Sequence, residues 1–294
     1  MRGLWLALHG AVLCLASGCA SADRMLTHPF DPKRVTTVDP MLTVHAQRPF
    51  VDSTRKSRPA PPYLTPFGTA LMPPPRLYGE KSILGRPLPY WVIGQGEETV
   101  LVFGGIHGDE LTSSELAFDF LIFALENQDK LQGRRLVIAP LVNPDGFLSG
   151  SRNNARNVDL NRNFPANNWM VVGSRSRSTS GLHPRSEPET RFLLFLIDRF
   201  APRRAVALHG AAKCVNWDGP AEDLARTMST LTGLPTRSSI GYATPGSFGS
   251  LMGVDRQVPV ITLELPSNQK LESADRYRMA LLYAVSNGDD ELAQ

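Results

Sequence analysis

His107 and Glu110 stand three residues apart in Gly104-Gly105-Ile106-His107-Gly108-Asp109-Glu110, directly after the apolar run Thr99-Val100-Leu101-Val102-Phe103. In a turn between a strand and a helix, that gap can bring an imidazole nitrogen and a carboxylate to one divalent cation, and the glycines let the backbone fold tightly. Alone the pair is a short motif that chance can produce. A catalytic zinc site also needs a third protein ligand and an open position for water. His28 and His45 lie in a proline-rich segment and His183 in a Ser/Arg-rich stretch, whereas His209 closes the apolar run Ala205-Val206-Ala207-Leu208. A histidine at a strand end faces the same sheet edge as the His107 turn, so His107, Glu110 and His209 are the candidate ligands of one Zn2+ per chain. The candidate general base is Glu264 in Ile261-Thr262-Leu263-Glu264-Leu265-Pro266. Burying a carboxylate in such a run is costly unless a cation or hydrogen bonds compensate, so it is either paired or catalytic.

Three further segments are dense in polar side chains: Asn143-Pro144-Asp145-Gly146, Arg152-Asn153-Asn154 and Val158-Asp159-Leu160-Asn161-Arg162-Asn163-Phe164. Asn, Asp and Gly favour turns on their own account. So many hydrogen-bonding groups between two predicted elements are nevertheless costly unless they serve one another or a ligand.

The elements that must position these groups follow from periodicity. Short apolar runs predict strands at 88–93, 99–103, 135–140, 205–208 and 258–263, and helical spacing predicts helices at 112–127, 187–200, about 221–233 and from about 273. Ser186, with Glu189 three residues later, fits a capping box for the second of these helices. This alternation predicts an α/β fold, a mixed and mostly parallel sheet flanked by helices, with its site at strand ends.

The 294 residues, 42% apolar and 20% charged, fit a globular chain and exclude a fibre or a wholly disordered one. The beginning differs in texture. Arg2 precedes an apolar run from Leu4 to Leu15 that ends in Ala16-Ser17-Gly18-Cys19, so residues 1–18 read as a signal peptide. Cys19, behind small residues, resembles the acylated cysteine of bacterial lipoproteins, which implies an exported, periplasmic protein anchored to the outer membrane by lipid. Residues 19–78 read as a proline-rich, mostly irregular tether, and 79–294 as the catalytic domain. Between residues 20 and 76 eight Lys or Arg face four Asp, so the net charge of +3 belongs to this segment. As a flexible chain it would reach about 40 Å. No stripe of interleaved aromatic and basic residues points to nucleic acid. The last of the three cysteines, Cys214, reads as a small buried residue.

Taken in order, H-x-x-E, N-P-D-G, R-x-N, V-D-L-N-R-N-F, a strand-end His and a strand Glu make this chain resemble the zinc carboxypeptidase superfamily. The likeness is closest to its bacterial cell-wall branch, whose members cleave between γ-D-glutamate and meso-diaminopimelate in murein peptides. That likeness rests on Asp159 to Trp169, on Ser186-Glu187-Pro188-Glu189-Thr190, and on Gly241-Tyr242-Ala243-Thr244-Pro245-Gly246-Ser247-Phe248-Gly249-Ser250. The resemblance implies that Arg152 stabilises the oxyanion, that Asn161 and Arg162 bind a substrate carboxylate, that Tyr242 contacts substrate and that Asp159 orients a ligating histidine. Asn157 stands where the family commonly has glycine, and Asn tolerates left-handed backbone. Asp109 stands where digestive carboxypeptidases carry arginine, which suits the ammonium of diaminopimelate. Two alternatives stay open: an N-acyl amino acid deacylase resembling the aspartoacylase group, and a non-catalytic peptidoglycan-binding lipoprotein of the same fold. The intact ligand set and Glu264 argue against the second.

Overall fold

Side-chain alternation along short apolar strands organises the fold. The computed structural model describes residues 73–131, 133–173, 179–268 and 274–286, all within one unit spanning 47–294. In β3 (Thr99–Phe103) Val100 and Val102 join one core cluster while Leu101 and Phe103 join another. β4 (Arg135–Ala139) separates Leu136 and Ile138 from Val137 and Ala139 in the same way. β5 (Arg204–Gly210) separates Val206 and Leu208 from Ala205 and Ala207. Each face is covered: α1 (Leu111–Glu126), α4 (Glu222–Thr232) and α5 (Asp275–Ser286) supply the first cluster. The second is closed by α3 (Pro188–Phe200), by Leu160 and Phe164, and by the π-helical turn Ser250–Asp255. Burial on both faces is why these strands read as unbroken apolar runs.

The remaining strands are β1 (Arg76–Leu77), β2 (Pro89–Ile93), β6 (Cys214–Asp218), β7 (Thr236–Arg237) and β8 (Val260–Leu265). The eight-stranded sheet runs β1-β2-β4-β3-β5-β8-β6-β7. Its central strands β4, β3, β5 and β8 are parallel, with β2 and β6 antiparallel at their outer sides. The sheet is therefore mixed and mostly parallel, as expected. The C-terminal ends of β3, β5 and β8 share one edge, and the residues singled out for metal chemistry sit there.

Two local expectations change. The end of the proline-rich segment joins the domain: Arg76 pairs with Tyr90 and Leu77 with Pro89, the Trp91 indole donates to the Pro73 carbonyl at 2.9 Å, and the Tyr78 ring packs 5.1 Å from that of Phe195. The signal segment, Cys19, His28, His45 and the rest of the tether lie outside the described residues. The capping box is not formed. Glu187 is the N-cap of α3 and makes no side-chain cap, while Ser186 Oγ donates to its carboxylate at 2.7 Å. Glu189 turns inward instead, where it accepts from Asn154 Nδ2 at 3.1 Å and from the Ile83 amide at 3.3 Å. Asn154 Nδ2 also donates to Glu187 at 2.8 Å, so the two carboxylates share that amide, and these tertiary bonds outweigh a cap that solvent can replace.

Burial raises the Glu189 pKa from 4.5 to about 7, outweighing the hydrogen bond from Asn154. Between those two pH values the folded chain holds a proton that the unfolded chain has released, so stability falls as pH rises through this window and levels off above it. The loss is on the order of 3 kcal/mol at 1.36 kcal/mol per pKa unit. Urea unfolding at pH 5 and pH 8 should show wild type losing this stability and Glu189→Gln retaining most of it. Parallel pH profiles for the two proteins would contradict the assignment.

Candidate active site

The chain leaves β3 through Gly104 and Gly105, and Gly105 takes φ +61°. Its amide is held by Ser113 Oγ at 3.0 Å, and that hydroxyl donates to the Glu110 carbonyl at 2.6 Å. The turn is thus stitched to the first turn of α1. Gly108 lies against the Gly146 backbone, where a β-carbon would collide. Glu110 is the N-cap of α1 but makes no side-chain cap, because its carboxylate is used in the cluster. One oxygen lies 2.9 Å from His107 Nδ1, the other 3.1 Å from His209 Nδ1 and 3.1 Å from the Gly210 amide.

The Nδ1 atoms of His107 and His209 face each other at 3.2 Å. All three residues are buried, and their ligand atoms lie within 4.8 Å of one another. Nearest-neighbour separations of 2.9 to 3.2 Å approach the roughly 3.3 Å edge of a tetrahedral zinc site. The donor set of two imidazoles and one carboxylate fits a catalytic zinc ion. Asp159 completes it from behind: its Oδ1 lies 3.0 Å from His107 Nε2, which fixes the ring's orientation and leaves Nδ1 facing the cluster.

Charge pairing dominates the electrostatics. Burial lowers the His107 pKa, but Glu110 and Asp159 outweigh it and raise the value to about 9. Burial works against both carboxylates as well, yet His107 and His209 hold Glu110, and His107 and Arg152 hold Asp159, far below the usual carboxylate range. Arg152 bridges the two anions, with Nη1 3.1 Å from Glu110 Oε1 and Nε 3.3 Å from Asp159 Oδ2.

The Asn-rich segments serve one another, as their density predicts. Asn143 Oδ1 caps α2 (Pro144–Ser149) through the Gly146 amide at 2.8 Å, and its Nδ2 reaches the Arg152 carbonyl at 3.3 Å. Asn154 Oδ1 accepts from the Arg156 and Val158 amides, and Asn157 adopts φ +61° in that turn. The turn delivers Asp159, whose carboxylate also accepts the Asn161 amide at 3.0 Å. Asn161 Oδ1 accepts the Phe248 amide at 2.9 Å, and Arg162 Nη1 donates to the Asn161 carbonyl at 2.7 Å. Burial lowers the Arg162 pKa, opposed by Asp159, and Tyr242 is its hydrogen-bonding neighbour.

Strand parity supplies the cavity floor. His209 is in register with Glu264, and Glu264 with Cys214 on its other side. Alternation puts Ala207 and His209, Thr262 and Glu264, and Asn216 and Asp218 into one cavity of about 340 Å3. His107, Glu110, Arg152, Asn161, Arg162 and Tyr242 line it as well. The Glu264 carboxylate accepts the Ala212 amide at 3.3 Å. Cys214 is buried and free, as expected.

The placement of Asp109 differs from the expectation. It does not line the cavity, and its Oδ1 is buried without a hydrogen-bond partner beside Arg152. The sequence reading missed Asn216, Asp218, Thr262, Ser238 and Ser239, which share the cavity. The signal for the first two was alternation in Cys214-Val215-Asn216-Trp217-Asp218, where Val215 joins the apolar core on the opposite face and Trp217 packs against it.

Comparison with known proteins agrees with this geometry. Residues 78–241 match the zinc carboxypeptidase family model. Murein peptide amidase A of Escherichia coli (strain K12) is 35% identical over 227 residues, covering 73% of this chain and 89% of that protein. The Vibrio campbellii murein peptide amidase A is 37% identical over 205 residues, covering 65% and 79%. The crystal structure of a murein-tripeptide amidase from Escherichia coli O157 superposes with a TM-score of 0.58 at 32% identity, covering 79% of this chain and 95% of that one. Thrombin-activatable fibrinolysis inhibitor, at 19% identity and a TM-score of 0.61 over 71% of this chain and 67% of its own, shares the fold. The chain belongs to the zinc carboxypeptidase family and is a metallopeptidase-type hydrolase.

Proposed function

We propose that the chain is a cell-wall amidase that hydrolyses the bond between γ-D-glutamate and meso-diaminopimelate in murein peptides. The observation that carries this reading is one cavity holding the His107–Glu110–His209 cluster, Glu264 and the Asn161–Arg162 pair, in a chain 35% identical to a murein peptide amidase over most of its length. Zn2+ held by the three ligands would supply Lewis acidity and lower the pKa of a water towards about 7. Glu264, beside His209 on the cavity floor, takes the proton of the attacking water and passes it to the departing amine. Arg152 donates to the carbonyl oxygen as charge develops on it, and one such donor is typically worth about 3 kcal/mol of barrier. Arg162 offers a carboxylate two parallel donors and so sets which amide bond lies over Glu264. Asp159 holds the His107 ring throughout.

The first nineteen residues support a second part of the proposal: export, acylation at Cys19 and attachment to the periplasmic side of the outer membrane. No helix among the described residues is long and apolar enough to cross a membrane. In this reading the lipid on Cys19 holds the chain to the membrane, with the proline-rich segment as the spacer. Fractionation of wild type beside Cys19→Ser should release only the variant into the soluble periplasm, and equal solubility of both would remove the anchor.

Elemental analysis should find one zinc per chain in wild type and its loss in His209→Ala; stoichiometric zinc in the variant would exclude His209 as a ligand. Glu264→Gln should keep zinc and lose turnover by about 10²- to 10⁴-fold, since the amide cannot accept the water's proton. Activity within a few-fold of wild type would end the general-base assignment.

Kinetics of a γ-D-glutamyl-diaminopimelate peptide and of its carboxamide analogue test the substrate register. Wild type should strongly prefer the free acid. Arg162→Lys should lose kcat as well as raise KM, because binding energy from a non-reacting group aligns the reacting one. Equal hydrolysis of acid and carboxamide by wild type would show that the carboxylate clamp is not used.

A further inference from the structure

Glu187 and Glu189 do not line the cavity, yet both reach the loop that carries Arg152 and Asp159. Asn154 is the link. Its Nδ2 donates to Glu187 at 2.8 Å and to Glu189 at 3.1 Å, while its Oδ1 accepts the Arg156 and Val158 amides at 3.0 and 3.1 Å. One buried side chain thus ties the start of α3 to the 154–158 turn, with Arg152 two residues before it and Asp159 directly after.

The segment between β1 and β2 closes the other side. Ile83 gives its amide to Glu189 at 3.3 Å, and the Leu84 amide, Ser82 Oγ and Arg86 Nη1 converge on Asp145 of α2 at 2.9, 2.9 and 2.5 Å. Glu187, Glu189 and Asp145 are therefore three buried carboxylates in one neighbourhood. The cations among them are Arg86, on Asp145, and Arg156, 3.7 Å from Glu187. Glu189 forms no ion pair among the described residues. Burial, joined by the Asp145 and Glu187 charges, holds its pKa at about 7 against the hydrogen bond from Asn154.

We infer that Glu189 is a positioning residue: through Asn154 its carboxyl group holds the 154–158 turn, and with it Arg152 and Asp159, in the geometry that the metal cluster and turnover require. The inference rests on the metal cluster and goes beyond the amidase reading, because it does not depend on which peptide is cut. Ionisation of Glu189 adds a third negative charge to the buried group. Helix α3 is fixed in the apolar core, so the irregular turn at Asn154 is the part that yields. Asp159 then holds the His107 ring less firmly, and Arg152 is less well placed.

Zinc release to a chelator reads the Asp159 side of this coupling without any substrate. Losing a partner behind a ligating histidine typically costs about 10- to 100-fold in metal affinity. Glu189→Met, similar in volume but without an acceptor, should release zinc about tenfold faster than wild type at pH 6, and Glu189→Gln, which still accepts from Asn154, should match wild type there. Between pH 6 and pH 8.5 release from wild type should quicken severalfold relative to Glu189→Gln, as Glu189 ionises. For a γ-D-glutamyl-diaminopimelate peptide kcat should fall in step and KM change less, since Arg152 acts on charge that develops only in the transition state. Adding Glu189→Met to Asn154→Ala should cost no more than Asn154→Ala alone, because the two residues act as one link.

Thermal unfolding establishes that each variant is folded, and if Glu189→Met does not fold, the comparison of wild type with Glu189→Gln decides. A ratio of zinc release between those two proteins that is the same at both pH values, or release at the wild-type rate from folded Glu189→Met, overturns the inference. If zinc release follows the expected pattern while no γ-D-glutamyl peptide is cut, the amidase reading fails and the role of Glu189 stands.

Discussion

The arrangement depends on the buried Glu110 carboxylate held between two imidazoles. Each oxygen is committed, one to His107 and Arg152, the other to His209 and the Gly210 amide. An anion so enclosed is tolerable only while positive charge surrounds it. A second buried anion, Asp159, orients one imidazole and shares Arg152. A divalent cation at the converging nitrogens and carboxylate can replace the protons that otherwise neutralise the cluster. The ends of β3 and β5 and the 152–162 loop must meet within hydrogen-bonding distance for this to hold. Much of the polar network behind them, from Asn143 to Asn154, serves that meeting.

The parts of this arrangement visible in the sequence share a physical cause. Strands β3, β4, β5 and β8 are buried on both faces, so their apolar runs stand out, and the residues that follow them are necessarily at the sheet edge. His107, His209 and Glu264 were legible for that reason. The density of Asn and Asp between 143 and 163 was legible because unpaired polar groups are costly to bury. Asn157 stands where the resemblance places a glycine, and the structure gives it the left-handed φ of +61° that Asn tolerates.

The unread parts have equally specific causes. β6 alternates between an apolar core on one face and a polar cavity wall on the other, and its five residues are too few for that pattern to stand out among turns. The edge strand β1 has two residues and sits among prolines. Ser186 and Glu189 have capping-box spacing, but the buried Asn154 and Ile83 donors claim Glu189, a tertiary demand that local spacing does not reveal. Asp109 is adjacent in sequence to Glu110, yet Glu110 lines the cavity and Asp109 does not. Sequence proximity to a ligand was therefore a poor guide to the cavity, and strand register with Glu264 a better one.

The most direct measurement is mass spectrometry of L-alanyl-γ-D-glutamyl-meso-diaminopimelate incubated with the zinc-loaded protein and with protein stripped of metal. The account predicts L-alanyl-D-glutamate and free diaminopimelate in the first reaction and intact tripeptide in the second. Cleavage at the alanyl bond, an intact tripeptide with the zinc-loaded protein, or equal cleavage without metal would contradict it.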